Sequence, residues 1–306
     1  MDLTMKKLEL SKRIKMTNNK QGPKIVLATR VEVDKKEENN EKSKKYQEYI
    51  NLFSNLINNK YISKIYIISN LNAKDTDIDK DGKQFIFIKD DNPVRATAFN
   101  LVLERLRNDA ENCDDRYHLL TYSKEVRLKD VYIEKMVKEI EKQNKKDKLI
   151  VVGFEFQDNV TEEAEYNQYA NDNNGDIGIA YRVPWSTCAL WNKEFVYGKD
   201  KNKLEFDKIC ENKPLDHLKV KIHNILMETE YEGMEDGLAI AKLITNNKNK
   251  KIEYKLFDEY LFWRLPRNDE RILRHKIKLA RKNIVLSTFM NIKGYSIDKL
   301  IESGRD

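Results

Sequence analysis

Short apolar runs alternate with amphipathic segments in the first part of the chain. Residues 25–29 (IVLAT) follow Pro23 and form a continuous apolar run, which predicts a buried strand. Between residues 46 and 57 the apolar side chains recur at helical spacing, so a helix with one apolar face is predicted there. Two more short strands are predicted at 64–69 and 84–89.

The same alternation continues to about residue 154. Pro93 is predicted to open a helix that runs to about residue 107. Further strands are predicted at 117–122 and 149–154, with a helix between them that carries an apolar stripe of Ile133, Met136, Val137 and Ile140. Strands that alternate with helices predict βαβ units and a mainly parallel sheet with helices on both faces.

The pattern is weaker in the second half of the chain. Residues 155–230 are rich in Asn and Asp and show little periodicity. A helix is predicted from Gly233 onward, and a long helix with a basic face is predicted at 273–289. The predicted fold class is therefore an α/β three-layer sandwich of Rossmann type, with a mostly parallel central sheet and a C-terminal helical extension.

The predicted sheet places four segments around one crevice, because ligands of such sheets bind beyond the carboxyl ends of the strands. These segments are residues 29–32, 69–72, 89–92 and 123–127.

The charge of the chain indicates the kind of ligand, and its cysteines indicate the redox compartment. The 57 Lys and Arg residues exceed the 51 acidic residues by a net +6, but the two signs are interleaved along the chain. That balance suits an anionic small ligand, and no nucleic-acid-binding motif accompanies it, so no nucleic acid is predicted. The three cysteines are far apart, which favours reduced thiols and a cytoplasmic protein.

No apolar run has the length of a membrane span, and the N-terminal residues lack the apolar core of a signal peptide. Residues 1–22 are predicted to be a basic, solvated tail. Contact of this tail with an anionic membrane surface is the alternative.

Several common classes of binding site are not predicted, because the motifs typical of them are missing from the sequence. The chain has no P-loop, no Gly-x-Gly-x-x-Gly turn and no His or Cys spacing typical of a zinc site. Asp77, Asp79 and Asp81 resemble the opening of an EF-hand loop, but Ile88 stands where the bidentate Glu belongs. We interpret that segment as an acidic surface turn.

Four segments carry a resemblance to a known family. Residues 95–100 (RATAFN) form a small-residue helix start that ends in Asn, and residues 123–125 (SKE) follow a predicted strand. Residues 184–191 (PWSTCALW) and 233–236 (GMED) resemble an acceptor-side turn and a Gly-x-Glu-Asp motif. In this order they resemble the GT-A glycosyltransferases, in particular the family 2 type, over roughly residues 24–290.

Two positions depart from the family pattern. The Asp-x-Asp metal motif is degenerate, since only its last acid is kept, as Glu125. Ser69 and Asn70 replace the usual Asp after the second strand.

The resemblance implies a nucleotide-diphosphate sugar as donor and a glycan, lipid or small molecule as acceptor. It divides the chain into the tail at 1–22, a nucleotide-sugar-binding half at 23–127, an acceptor-side half at 128–266 and a helical extension at 267–306. Asp236 is predicted to be the base of an inverting transfer, with Glu235 beside it. The other interpretation is that both acids favour a helix N-terminus electrostatically.

The resemblance also assigns Mn²⁺ or Mg²⁺ to Glu125 and His275. The alternative is a metal-free transfer in which fixed cations stabilise the diphosphate. Lys124 and Arg127 are predicted to lie beside it, and the predicted helix at 273–289 supplies further candidates in Arg274, His275 and Lys278. Trp185 is either part of the acceptor pocket or a core residue. The predicted substrate-binding residues are Thr29, Arg30, Glu32, Ser69, Asn70, Arg95, Asn100, Ser123, Lys124, Trp185 and Thr187.

Two other functions stay open. A catalytically inactive GT-A-like protein that binds a sugar nucleotide or a protein partner is consistent with the degenerate metal motif. A sugar nucleotidyltransferase would want a Gly-rich loop after the first strand, and residues 28–32 contain no glycine.

Overall fold

The computed structural model of the chain describes residues 23–32, 44–70, 78–80, 83–93, 96–112, 116–142, 147–156, 183–207, 235–247, 251–261, 286–287, 290–291 and 293–305. The predicted basic tail, Arg95, His275 and most of the predicted helix at 273–289 lie outside these residues.

The described residues form nine strands: β1 (Ile25–Val31), β2 (Ile62–Ser69), β3 (Ile78–Lys80), β4 (Lys83–Lys89), β5 (His118–Tyr122), β6 (Asp147–Phe156), β7 (Cys188–Trp191), β8 (Lys251–Leu261) and β9 (Gly304–Arg305). These strands form one mixed sheet in the order β3-β4-β2-β1-β5-β7-β6-β8-β9. The pairs β1 with β2, β1 with β5 and β2 with β4 are parallel, as are the pairs that β8 makes with β6 and β9. β7 is antiparallel to both of its neighbours, and β3 forms an antiparallel pair with β4.

Helices cover both faces of this sheet. The ring of Phe53 on the first helix packs edge-on against Tyr122, with centroids 6.5 Å apart. Thr29 of β1 pairs with Tyr122, so the next residue, Arg30, lies on the opposite face of the sheet. The Arg30 guanidinium carbon lies 4.8 Å from the ring centroid of Phe99 on the second helix. The helices are α1 (Lys44–Ile57), α2 (Phe99–Asn112), α3 (Asp130–Glu141), α4 (Lys193–Val196), α5 (Glu235–Asn246) and α6 (Ile297–Glu302).

The core lies between the central strands and these helices. Leu27, Ile65 and Leu120 of three adjacent strands are fully buried. Each such side chain contributes roughly 1.5–3 kcal/mol relative to an exposed one. Residues 25–28 of β1 are apolar on both faces because helices lie over both, as the continuous run predicted.

The α/β class with a mostly parallel sheet is confirmed, and so are the predicted β1, β2, β4, β5 and β6. The predicted helix at Pro93 begins later, since Ala96–Ala98 form a 3-10 turn and α2 starts at Phe99. Asn92 donates its backbone N–H to the Asp90 carboxylate at 2.9 Å, which turns the chain before the helix can start. Strands β3, β7, β8 and β9 were not predicted, and β3 lies within the segment that was interpreted as an acidic surface turn.

No helix in the described part of the chain has both the length and the apolar character needed to cross a membrane.

Candidate functional site

The direction of strand connection reverses at β1. The chain passes from β1 to β2 and β4 on one side, then returns to β5 on the other side. Such a reversal leaves a crevice at the carboxyl ends of the two strands, where ligands of open α/β sheets bind. Because β7 is antiparallel to β5, its first residue Cys188 pairs with Tyr122 and lies at the same edge.

A tight turn follows β5 at this edge. Ser123 donates its backbone N–H to the Thr187 carbonyl at 2.8 Å, and Val126 donates to the Ser123 carbonyl at 3.0 Å. The Ser123 hydroxyl donates to Oε2 of Glu125 at 2.8 Å, and the Tyr122 hydroxyl donates to the Val126 carbonyl at 2.8 Å. The turn therefore has a fixed shape and presents Ser123 and Glu125 together.

A second turn leads into β7 beside the first. Its carbonyl at Trp185 accepts a hydrogen bond from the Cys188 N–H at 3.0 Å. Pro184 packs directly on Gly153 of β6, where an added Cβ would lie 2.8 Å from the Pro184 Cβ. Glycine at 153 thus lets this turn sit close against the sheet.

Asp236 lies in the first turn of α5 and joins that helix to the second turn. Its Oδ2 accepts the backbone N–H of Ser186 at 2.7 Å. Asp236 is 4% exposed and Glu235 is 7% exposed. Both acids lie in the first turn of the helix, and the bond from the backbone N–H fixes the orientation of the Asp236 carboxylate.

The structure thus brings together three segments that are distant in sequence. Asp236 bonds to Ser186, the neighbouring Thr187 accepts from Ser123, and Ser123 bonds to Glu125. We call these residues, Asp236, Ser186, Thr187, Ser123 and Glu125, the candidate site. In this site the Asp236 carboxylate is held by a hydrogen bond, and a fixed turn presents a second acid, Glu125. Both lie at the carboxyl ends of the parallel strands.

No protein-family model matches this chain, and no curated protein matches its sequence.

The other predicted ligand contacts lie at the same edge with differing exposure. Thr29 is fully buried in β1, Arg30 is half-buried and Glu32 is exposed beyond the strand. Ser69 ends β2, and its carbonyl accepts from the Asp90 N–H at 2.9 Å. Asn70 and Lys124 follow at the ends of β2 and β5, half-buried and exposed respectively.

Two of the predicted ligand contacts have evident structural roles. The Asn100 amide donates to the Phe206 carbonyl at 2.8 Å and accepts from the Phe206 N–H at 2.9 Å. Trp185 is 3% exposed, which corresponds to the core interpretation of its ring. Their assignment as substrate-binding residues stays a prediction.

Of the two predicted metal ligands, Glu125 lies in the turn after β5 and His275 lies outside the described residues. Among the described residues, no group of three or more His, Cys, Asp and Glu side chains is arranged to hold a metal ion. Glu125 supplies a single carboxylate at the turn as a metal ligand. One carboxylate together with substrate phosphates is a coordination that Mg²⁺ accepts.

Sequence reasoning missed two features of the candidate site. The hydrogen-bond donor to Asp236 is the backbone N–H of Ser186, which every residue except proline possesses, so no residue type could have revealed it. Gly153 carries a detectable signal, since an isolated glycine inside an apolar strand often marks a close backbone approach.

Proposed function

We propose that the protein is a GT-A-type glycosyltransferase that moves a sugar from a nucleotide-diphosphate donor to an acceptor hydroxyl. The observation that carries this proposal is the Asp236 carboxylate, held by the Ser186 N–H at 2.7 Å beside the Ser123 to Glu125 turn. A fixed carboxylate at the carboxyl edge of a mostly parallel sheet suits proton transfer on a bound ligand.

In the proposed reaction Asp236 takes the proton of the acceptor hydroxyl. The acceptor oxygen then forms a bond to the anomeric carbon, the bond from that carbon to the diphosphate oxygen breaks, and the electron pair leaves with the nucleoside diphosphate. Direct displacement of this kind inverts the anomeric centre. The bond from Ser186 orients the carboxylate toward this task, since it fixes Oδ2.

The negative charge on the leaving diphosphate needs a positive partner. Lys124 is exposed at the tip of the β5 turn, and Arg30 is held over the Phe99 ring at 4.8 Å on the neighbouring strand. These two cations suit a diphosphate at the crevice. If Mn²⁺ or Mg²⁺ takes part, Glu125 is the described residue that would hold it, and the ion would stabilise the same charge.

A second function is favoured by one observation. The Glu125 Oε2 accepts from Ser123, and both polar groups of the Asn100 side chain bond to Phe206. A predicted metal ligand, Glu125, and a predicted substrate contact, Asn100, thus both form hydrogen bonds within the protein. That arrangement fits a catalytically inactive protein that binds a sugar nucleotide or a protein partner.

The proposal is tested by thermal unfolding of the full chain with UDP, GDP, CDP and dTDP, each with and without Mn²⁺. A nucleotide present at 100 times its Kd and bound only to the folded state adds about 2.7 kcal/mol of stability. We expect one nucleotide to raise the unfolding temperature. If the shift requires Mn²⁺ and is lost in Glu125→Gln, Glu125 holds the metal. If the shift is independent of Mn²⁺ and is lost in Lys124→Gln, the fixed cations bind the diphosphate.

The matched control for both variants is Glu104→Gln, on an exposed position of α2. Absence of a shift with every nucleotide would contradict both the transferase and the sugar-nucleotide-binding protein.

A further inference from the structure

A buried histidine lies at the edge of the sheet opposite the candidate site. His118 is the first residue of β5, whereas the candidate site follows the last residue of that strand. His118 is 1% exposed, so its ring has left solvent and its polar atoms need partners within the protein.

Both ring nitrogens of His118 have such partners. The backbone N–H of Lys193 donates to Nδ1 at 3.1 Å, and Nε2 lies 2.7 Å from Oε1 of Glu141. A backbone N–H can only donate, so Nδ1 must accept and carries no proton. The proton of the neutral ring is therefore on Nε2, which donates it to Glu141.

The charged groups around this pair come from three elements. Glu141 ends α3, and Lys193 begins α4 with its Nζ 3.4 Å from Oε1 of Glu141. Glu194 on α4 is paired with Lys148 of β6. On β1 the residue opposite His118 is the uncharged Ile25, and it follows Lys24.

The hydrogen bond from His118 and the nearby Lys193 lower the pKa of Glu141 to about 2, although burial acts in the opposite direction. Glu141 therefore stays ionised over the range in which an imidazole ordinarily gains a proton.

We propose that His118 is a pH-sensitive latch on α4, closed by the bond from Lys193 N–H to the neutral ring and opened by protonation of Nδ1. The proton comes from solvent, and it turns the ring nitrogen that accepts that N–H into a second donor. The imidazolium keeps Glu141 as its ion-pair partner. Protonation therefore breaks the hydrogen bond from the Lys193 N–H and destabilises the start of α4.

The Lys193 bond lies at the start of a segment that is tied to α2. Phe195 and Val196 of α4 are buried, and Arg107 of α2 donates to the carbonyls of Val196 and Leu204 at 2.8 and 2.5 Å. The side chain of Asn192 caps the same helix start. The effect of protonation is therefore expected at the Lys193 amide itself.

Amide NMR of the uniformly labelled full chain between pH 8 and pH 5 tests the latch. We expect the Lys193 amide to shift with the His118 ring and to lose at least tenfold of its exchange protection, after correction for intrinsic exchange. The Val126 amide, which bonds to the Ser123 carbonyl, is the internal control and should not follow. A Lys193 amide whose shift and protection do not change with pH overturns the proposal without any variant.

Two variants sharpen the result. His118→Asn offers an acceptor near the Nδ1 position that does not titrate, so the Lys193 amide should keep its protection at pH 5. In Glu141→Gln the imidazolium loses its anionic partner, so the midpoint of the transition should move to lower pH. Unchanged pH dependence in His118→Asn, or a midpoint that stays or rises in Glu141→Gln, overturns the latch.

Discussion

Asn100 shows at the scale of one residue how a side chain can replace a stretch of backbone pairing. Its amide donates to and accepts from the backbone of Phe206, at 2.8 and 2.9 Å, in the manner of two strand residues. Phe206 also packs against Phe99 and Trp191, with ring centroids 5.9 and 5.3 Å away. Asn100 thus holds the segment that carries Phe206 against α2.

We predict that Asn100→Asp destabilises the protein nearly as much as Asn100→Ala. The aspartate keeps the acceptor for the Phe206 N–H but loses the donor, and it places a negative oxygen against the Phe206 carbonyl. An unsatisfied buried group costs about 1–3 kcal/mol. Urea unfolding at pH 7 measures the loss, with the exposed Asn291→Asp as control. An Asn100→Asp variant as stable as wild type would contradict the pairing.

Glu141 predicts an acid-sensitive contribution to stability. Its pKa is lowered from the ordinary 4.5 to about 2, first by the hydrogen bond with His118. A carboxyl whose pKa is lower in the folded state stabilises the protein above pH 4.5, and this stabilisation is lost as the pH falls toward 2. Because the side chain is 39% exposed, screening reduces the contribution to about 1 kcal/mol.

The free energy of unfolding of Glu141→Gln should therefore lie below that of wild type at pH 6 and approach it near pH 2.5. Chemical denaturation at both pH values gives the two differences. The exposed Glu104→Gln serves as control, and a deficit that is the same at both pH values would contradict the ion pair.

At the scale of elements, the turn before β7 depends on its fit against β6. An added Cβ at Gly153 would lie 2.8 Å from the Pro184 Cβ and 3.3 Å from the Cys188 carbonyl oxygen. Neither is the far end of a flexible side chain, since one belongs to a proline ring and the other to the backbone. The turn that presents Ser186 to Asp236 would have to move.

We predict that Gly153→Ala costs about 1–3 kcal/mol through this overpacking. Urea unfolding measures the cost. At Gly294 no atom of the described residues lies within 4 Å of an added Cβ, but φ is +68°, so Gly294→Ala tests the cost of backbone conformation without crowding. A Gly153→Ala variant of unchanged stability would mean that Pro184 does not pack on the strand.

The elements that could be predicted are those whose own residues show a clear apolar run or an apolar stripe at helical spacing. β1 and β5 are continuous apolar runs, and α3 has its apolar stripe at helical spacing. β7 (CALW) has only four residues, too few for a period to be detected. β8 (KIEYKLFDEYL) is rich in charge and even buries Glu253, so its strand conformation depends on pairing with β6.

At the scale of the whole molecule, both predicted halves of the chain share one sheet. β5, from the first half, pairs with β7 from the second, and β7 pairs with β6. The buried side chains of both halves form one hydrophobic cluster. The predicted nucleotide-binding and acceptor-side halves are thus joined by strand pairing as well as by the chain.

We therefore expect the two halves to unfold in a single transition. Tryptophan fluorescence reports on Trp185, Trp191 and Trp263, which all lie in the second half, and far-UV circular dichroism reports on all helices and strands. The two probes should give coincident urea curves, as two-state unfolding requires. Separate midpoints would show that the halves unfold independently.

The candidate site was predictable to the extent that it follows from topology. Parallel strands end at one edge, so residues after β1 and β5 were expected to meet there, and the family resemblance supplied Asp236. The bond from Ser186 to Asp236 was not predictable, nor was the partner of Asn100, because each depends on where a distant backbone group lies. Such contacts arise only once the sheet and helices have packed.

The most direct test of the central proposal is the rate at which wild type and Asp236→Asn release nucleoside diphosphate from a sugar nucleotide, with water as the acceptor that loses its proton to Asp236. The donor base is the one that raises the unfolding temperature. Asparagine can still accept from the Ser186 N–H, so the fold and nucleotide binding should persist while the rate falls by about 10²–10⁴. Asp298→Asn, an exposed aspartate in the first turn of α6, is the control and should keep the wild-type rate. Release at the wild-type rate in Asp236→Asn would contradict Asp236 as the base, and no release by wild type would contradict the transferase.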